Sequence, residues 1–290
     1  MTIDKRCRPL AAALAITFLY FVVEVIGGIY TNSLALLSDA GHMLSDIAAL
    51  GLSLCAFQIA RRPATPQKTF GYHRLEIVAA LVNGLVLWLI VGVIFHEAFH
   101  RFFTPPQVQS VGMLAIATMG LAVNIVAGFI LYRSHHESLN VHSAFLHVVG
   151  DALGSVGAMV AALIMIYTGW YLADPLISIF IGGLILYTSW GLIKESADIL
   201  MQSVPRGISL DQVKEAMEGV TGVMKVHDLH IWAVTSGVFT LSAHAVVNGE
   251  RDFHQVLSDM EKTLSERFDI RHTTIQLETI SREAEEFSHF

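Results

Sequence analysis

Charge is scarce in this sequence. Asp, Glu, Lys and Arg make up 15% of its 290 residues, against about 25% in ordinary soluble domains. Hydrophobic residues make up 53%, and the mean hydropathy is +0.56. That composition excludes an ordinary water-soluble domain over the whole length and reads as a membrane protein. A basic cluster with interleaved aromatics is also missing, and the formal charge is −7, so no nucleic-acid partner is expected. Cysteine is limited to Cys7 and Cys55, with no CxxC pair. This excludes a disulfide framework and a thiolate metal site, and leaves two unpaired thiols in a reducing compartment. Proline is rare as well, at seven, and marks breaks: two in Arg61–Tyr72, then Pro105-Pro106, and Pro175.

What is abundant is long apolar sequence. Six apolar segments lie at about 10–30, 34–60, 77–101, 110–133, 142–168 and 175–200, each long enough to span a bilayer with some tilt. Lys5, Arg6 and Arg8 precede the first. Its length of about 20 residues exceeds the ~7–15 of a signal-peptide core, so it is expected to be retained as a first transmembrane helix. With the N-terminus inside, Lys5, Arg6, Arg8, Arg61, Arg62, Lys68, Arg74, Arg133 and Lys194 fall on the inner side and Arg101 alone on the outer. That bias predicts cytoplasmic N- and C-termini.

Inside this apolar sequence a polar pattern occurs twice. Ser33–Asp46 reads SLALLSDAGHMLSD and Ser138–Asp151 reads SLNVHSAFLHVVGD. Both follow S-L-(seven residues)-H-(three residues)-D, which pairs His42 with Asp46 and His147 with Asp151. Four residues apart on a helix, each pair shares one face. Ionisable groups in hydrocarbon are costly and mark functional sites. The copies fall on segments two and five, three spans apart, so they run antiparallel: an inverted 3+3 repeat, with substrate expected near the midplane. At 1.5 Å per residue each pair lies roughly 10–20 Å along its helix. Two imidazoles and two carboxylates make a tetrahedral set for Zn²⁺, with Cd²⁺ or Co²⁺ as alternatives, rather than for Mg²⁺ or Ca²⁺. Bound Zn²⁺ leaves the set formally neutral. The same side chains bind protons, so metal and proton compete. Glu24, Asn83 and Asn124 are further polar groups within the spans, and Gly27, Gly28, Gly154 and Gly157 suit close helix packing.

The composition changes near Pro205. Leu210–Glu218 reads as an amphipathic helix capped by Ser209 or Asp211. Val223–Trp232 and Val238–Val247 alternate as strands about Thr235-Ser236-Gly237. Asp252–Phe268 reads as a second helix and Arg271–Glu278 as a third strand. The expected architecture is therefore a polytopic α-helical membrane protein with six transmembrane helices, residues 1–204. A small cytoplasmic α+β domain of order αββαβ follows at 205–280, then an acidic tail at 281–290. Alternation puts His272, Gln276 and Glu278 on one face of the third strand. His244 lies on the second strand and His227 and His230 on the first. His73, in the inner loop, and His272 are candidates for a relay site at the junction with this domain.

Together, SLALLSDAGHMLSD, TFGYHRLE, SAFLHVVGDALGS, the Asp174-Pro175 pair, HDLHIW and LSAH resemble the cation diffusion facilitator family, in its zinc-transporting branch, over nearly the whole chain. The resemblance implies a homodimeric divalent-cation/proton antiporter of the bacterial inner membrane or its equivalent, with a metallochaperone-like cytoplasmic domain. His42, Asp46, His147 and Asp151 match the family's transport site. Family positions also imply a cytoplasmic Zn²⁺ site at His227, His244 and Glu278, with His254 as a further ligand. Gln276 stands where some relatives have a histidine, and only His135, His136 and Glu137 stand where many carry a long His-rich loop.

Two other readings compete. His96-Glu97-Ala98-Phe99-His100 matches H-E-x-x-H, the helix motif of zinc proteases, which would make an intramembrane metallohydrolase. Its place at the outer end of the third segment, without a downstream third ligand, favours a chance match. The second reading is a metal sensor that binds through its tail domain and transports nothing.

Overall fold

The computed structural model describes the backbone of residues 7–60, 63–132 and 139–281. It also describes their side chains, except those of 7–14, 46, 49–58, 60, 131–132 and 139–147. The elements run α1 (Cys7–Thr31), α2 (Leu34–Ala60), α3 (Arg74–Phe103), α4 (Ser110–Tyr132), α5 (Leu139–Thr168), α6 (Ala173–Leu200), α7 (Leu210–Glu218), β1 (Val223–Thr235), β2 (Val238–Val247), α8 (Phe253–Phe268) and β3 (His272–Glu278). Among the described residues, four helical stretches are long and apolar enough to cross a bilayer: Arg74–Phe103, Ser110–Ile130, Val148–Thr168 and Ala173–Leu200. Ala15–Thr31 is a shorter apolar stretch. The four carry large apolar side chains outward, among them Leu89, Phe129, Leu153 and Phe180, each more than 60% exposed or close to it. Exposed apolar surface on this scale is what lipid tails cover.

The structure divides into two compact units. One comprises Met1–Gly51 and Val82–Gly191, the other Leu52–Leu81 and Leu192–Phe290. In the first, α1 passes into α2 through Asn32, whose φ of 56° is left-handed. The Ser33 N–H bonds the Gly28 carbonyl at 3.0 Å and the Asn32 N–H bonds that of Ile29 at 3.3 Å, the paired bonds of a Schellman cap. One buried cluster joins Ala35 and Leu36 of α2, Met113 and Ala117 of α4, Ala158 and Ala162 of α5 and Ala173 of α6. A second joins Leu87 and Val91 of α3 to Ile181 and Ile185 of α6. Small residues let these helices approach closely. At Gly27, for example, an added Cβ would overlap the Ile116 side chain of α4.

The second unit contains a three-stranded sheet in the order β1-β2-β3, with β1 and β2 antiparallel and β2 and β3 parallel. Ser209 Oγ accepts from the Gln212 N–H and starts α7. The stripes Val213/Met217 of α7 and Val256/Met260/Leu264 of α8 pack on Val226, Ile231, Leu241, Ala243, Ala245 and Val247 of the sheet. The hairpin turn is Ser236-Gly237, with Thr235 still paired to Val238, so β1 runs three residues beyond the stretch that alternation assigns to it. β1 also breaks its register between His227 and His230, where Asp228 has a φ of 48°.

Candidate metal sites

The first candidate site lies between α2 and α5. His42 and Asp46 are one turn apart on α2, as are His147 and Asp151 on α5. The side chains of Asp46 and His147 fall outside the described residues. Those of His42 and Asp151 face each other, with His42 Nε2 3.9 Å from Asp151 Oδ1. This is too long for a hydrogen bond. A metal ion held by both, at ~2.0–2.2 Å from each, would set them roughly 3–4 Å apart. The Asp151 side chain is 4% exposed and that of His42 24%, so the imidazole is the more open member.

A polar seam borders this pair. Glu24 of α1 is buried, and the Tyr20 hydroxyl donates to its Oε1 at 3.0 Å. Asp39 of α2 is buried as well. A Cβ on Gly154 of α5 would lie 3.0 Å from Asp39 Oδ1, so glycine makes room for the carboxylate there. Asn124 of α4 donates to Ser155 of α5 at 3.4 Å, and Asn83 of α3 to Ser45 of α2 at 2.9 Å. The sequence marks Glu24, Asn83 and Asn124 but gives no role to Asp39 or Tyr20. The available signal for Asp39 is its place three residues before His42, the neighbouring position on a helix surface.

At the other end of these helices, the Asp174 carboxylate of α6 accepts from Ser33 Oγ (2.7 Å) and from the N–H groups of Leu34 (2.8 Å) and Ala35 (3.1 Å). Arg101 Nη1 approaches Asp174 at 3.4 Å and donates to the Asn32 carbonyl at 2.7 Å. Its Nη2 donates to Asn32 Oδ1 at 3.0 Å and its Nε to Glu97 at 2.9 Å.

The second candidate site is on the sheet. His227 and His244 are directly paired across β1 and β2, and Glu278 pairs with Val246 across β2 and β3. All three are on the face opposite the α7/α8 core, since Ala243, Ala245 and Leu277 turn the other way. His227 Nε2 lies 3.3 Å from Glu278 Oε2 and His244 Nδ1 lies 3.4 Å from Glu278 Oε1. The imidazole rings meet edge to face at 5.3 Å. One ligand atom from each residue falls within 4.8 Å of the other two, the one such trio among the described residues. Two imidazoles and one carboxylate fit a zinc-type ion with a fourth position open. Gln276 Nε2 donates to Glu278 Oε1 at 2.9 Å and so orients the carboxylate.

His254 is exposed on the first turn of α8, which covers the opposite face, and is outside this trio. His230 is exposed and bonded to Asp228 at 2.9 Å. His73 and His272 are exposed and line one cavity of ≈ 320 Å³ with Phe70 and Thr240; the Phe70 ring meets His272 edge-on at 5.8 Å. His135, His136 and Glu137 lie outside the described residues.

These features define a membrane protein that handles metal cations. The chain belongs to the cation efflux family: residues 10–201 match the family's transmembrane domain and residues 205–280 its cytoplasmic domain. It is 45% identical over 265 residues to the cadmium, cobalt and zinc/H(+)-K(+) antiporter of Bacillus subtilis, covering 90% of this chain and 85% of that protein. It is 43% identical over 288 residues to the cation efflux system protein CzcD of Alcaligenes sp., covering 98% and 90%. To the zinc transporter ZitB of Escherichia coli it is 43% identical over 278 residues, covering 95% and 88%. The family is one of transporters, not enzymes, so HEAFH is not read as a hydrolase centre.

Proposed function

We propose that this chain is a divalent metal cation/proton antiporter that exports Zn²⁺ from the cytoplasm, with Cd²⁺ and Co²⁺ as further cargo. The observation that carries the reading is His42 facing Asp151 across 3.9 Å, one residue from each copy of the duplicated S-L-x7-H-x3-D pattern. Asp46 and His147 complete a four-ligand cargo site by their positions in the same copies. The names of the B. subtilis and E. coli relatives support the choice of ions. Cargo loaded from the cytoplasm displaces protons from the imidazoles and carboxylates, and protons arriving from outside displace cargo. Rocking of one three-helix repeat against the other exposes the site to each side in turn.

In this reading six helices cross the bacterial plasma membrane with both termini cytoplasmic, a topology that the Lys/Arg distribution supports. Two chains form a homodimer. Their cytoplasmic domains bind Zn²⁺ at His227, His244 and Glu278, and the cavity shared by His73 and His272 is a station between domain and membrane.

Proteoliposomes with an internal zinc dye and an imposed pH gradient test the proposal. Wild type is expected to move zinc only with the proton gradient, and His42→Ala and Asp151→Ala to abolish flux. Undiminished flux in either variant would remove the site from the mechanism. Zinc binding without any gradient-driven flux in wild type would make the chain a sensor.

A further inference from the structure

The HEAFH stretch at 96–100 takes no part in the two sites above. We propose that His96 and His100 form a third, separate site for a divalent transition-metal ion, at the C-terminal end of α3. The two imidazoles are four residues apart on the helix and both exposed, with ring centroids 4.6 Å apart and planes at 68°. Residues at this spacing bring their Cβ atoms to about 5–6 Å. Two ring nitrogens then reach a single ion at ~2.0–2.1 Å. The helix C-terminus adds the partial negative charge of its last carbonyls, which favours a bound cation.

The scaffold beneath the pair is firm. The Thr104 N–H and Oγ1 both donate to the His100 carbonyl, at 3.1 and 3.2 Å, so the helix stays wound through the second ligand. Arg101 follows at once, buried and tied to Asn32 and Asp174. Phe99 meets the His100 ring edge-on at 6.4 Å.

The chemistry is binding and not hydrolysis. Glu97, the general base of a zinc protease helix, is bonded here to Arg101 Nε at 2.9 Å. Among the described residues no third His, Cys, Asp or Glu joins the pair at ligand spacing. Two imidazoles with exchangeable waters suit Zn²⁺, Co²⁺, Ni²⁺ or Cu²⁺ over Mg²⁺ and Ca²⁺. An ion so held leaves readily. By the proposed orientation, on which this clause alone rests, the site lies on the outer side and holds released cargo briefly before it diffuses away.

The test uses the full chain in lipid nanodiscs with Cu²⁺–iminodiacetate, read by electron paramagnetic resonance. The chelator fills three positions on copper and leaves room for a two-imidazole pair. In a His42→Ala/His227→Ala background, which takes away the paired imidazoles of the other two sites, the chain is expected to show a two-nitrogen copper signal that His96→Gln and His100→Gln each lose. Elution as a single species checks that the variants fold. An undiminished signal when His96→Gln and His100→Gln are combined in that background, or no such signal in the background itself, overturns the site. Zinc flux is read separately, from the same purified protein in proteoliposomes: a copper signal without flux in wild type would sink the antiporter and leave this site standing.

Discussion

The carboxylate of Asp174, on α6, caps the first turn of α2 at Ser33. It accepts the Ser33 hydroxyl at 2.7 Å and the next two backbone N–H groups at 2.8 and 3.1 Å. An N-cap normally comes from the residue before the helix; here a distant helix supplies it, and its negative charge complements the positive end of the α2 dipole. Arg101, at the end of α3, completes the cluster at 3.4 Å. Three helix ends thus meet on one buried carboxylate, and one of those helices carries His42.

Asp174→Ala is predicted to destabilise the transporter by about 3–5 kcal/mol, the range for removing one partner of a buried charge pair. It would leave two helix N–H groups and the Ser33 hydroxyl without their acceptor and take the buried counter-charge from Arg101. Ser33→Ala removes one hydrogen bond and should cost only about 0.5–1.5 kcal/mol. Thermal unfolding of both variants in the same detergent checks the order. Equal, small losses would show that the cap does not hold the three ends together.

The cytoplasmic trio gives a prediction about metal removal. Full-length wild type should lose one zinc per chain when His227, His244 or Glu278 is changed to Ala, counted by equilibrium dialysis on a His42→Ala/Asp151→Ala background. Gln276→Ala leaves the ligands in place but frees the carboxylate it orients. Such a change is expected to weaken zinc binding about 10–100-fold without removing the site. A wild-type zinc affinity in Gln276→Ala would show that the 2.9 Å bond does not position Glu278.

The register break in β1 can be tested at Asp228, whose φ of 48° suits Asp, Asn or Gly better than a β-branched residue. Asp228→Gly is expected to keep both stability and zinc binding. Asp228→Val should cost about 1–2 kcal/mol, the penalty of a left-handed conformation, and should weaken zinc binding by shifting His227 against His244. Calorimetric zinc titration of the two variants separates them.

Local pattern made much of this molecule readable. The long apolar segments end where the helices end because hydrocarbon tolerates little backbone that is not helical. The His42 and Asp151 spacings were visible because an ionisable residue stands out in an apolar run. The tail sheet was legible from period-two alternation but its register breaks were not; at Asp228 a bulge obeys geometry that alternation does not encode. Outside that duplicated pattern, sequence did not show partnership across helices. In the sequence Asp174 stands beside Pro175 at the head of the sixth apolar segment, and nothing local ties it to Ser33, 141 residues away. The approach of Gly154 to Asp39, and the separation of His254 from His227, His244 and Glu278, likewise depend on which faces meet in space.

The closest fit in the polar seam supplies the last prediction. A Cβ on Gly120 of α4 would overlap the Tyr20 hydroxyl, and it would also lie 3.0 Å from Ser155 Oγ. Gly120→Ala must therefore push Tyr20 aside and break its 3.0 Å bond to Glu24. Overpacking of this kind costs about 1–3 kcal/mol. Tyr20→Phe alone loses the same hydrogen bond, at about 0.5–1.5 kcal/mol, but it also removes the atom that the new methyl group meets. The double variant Gly120→Ala/Tyr20→Phe should then be more stable than the sum of the single changes implies, by about 0.5–3 kcal/mol, since the two residues touch. Strict additivity in unfolding measurements would mean that Tyr20 does not sit against Gly120. A favourable coupling would show that glycine is required here to let α1 bring Tyr20, and with it Glu24, close to α4.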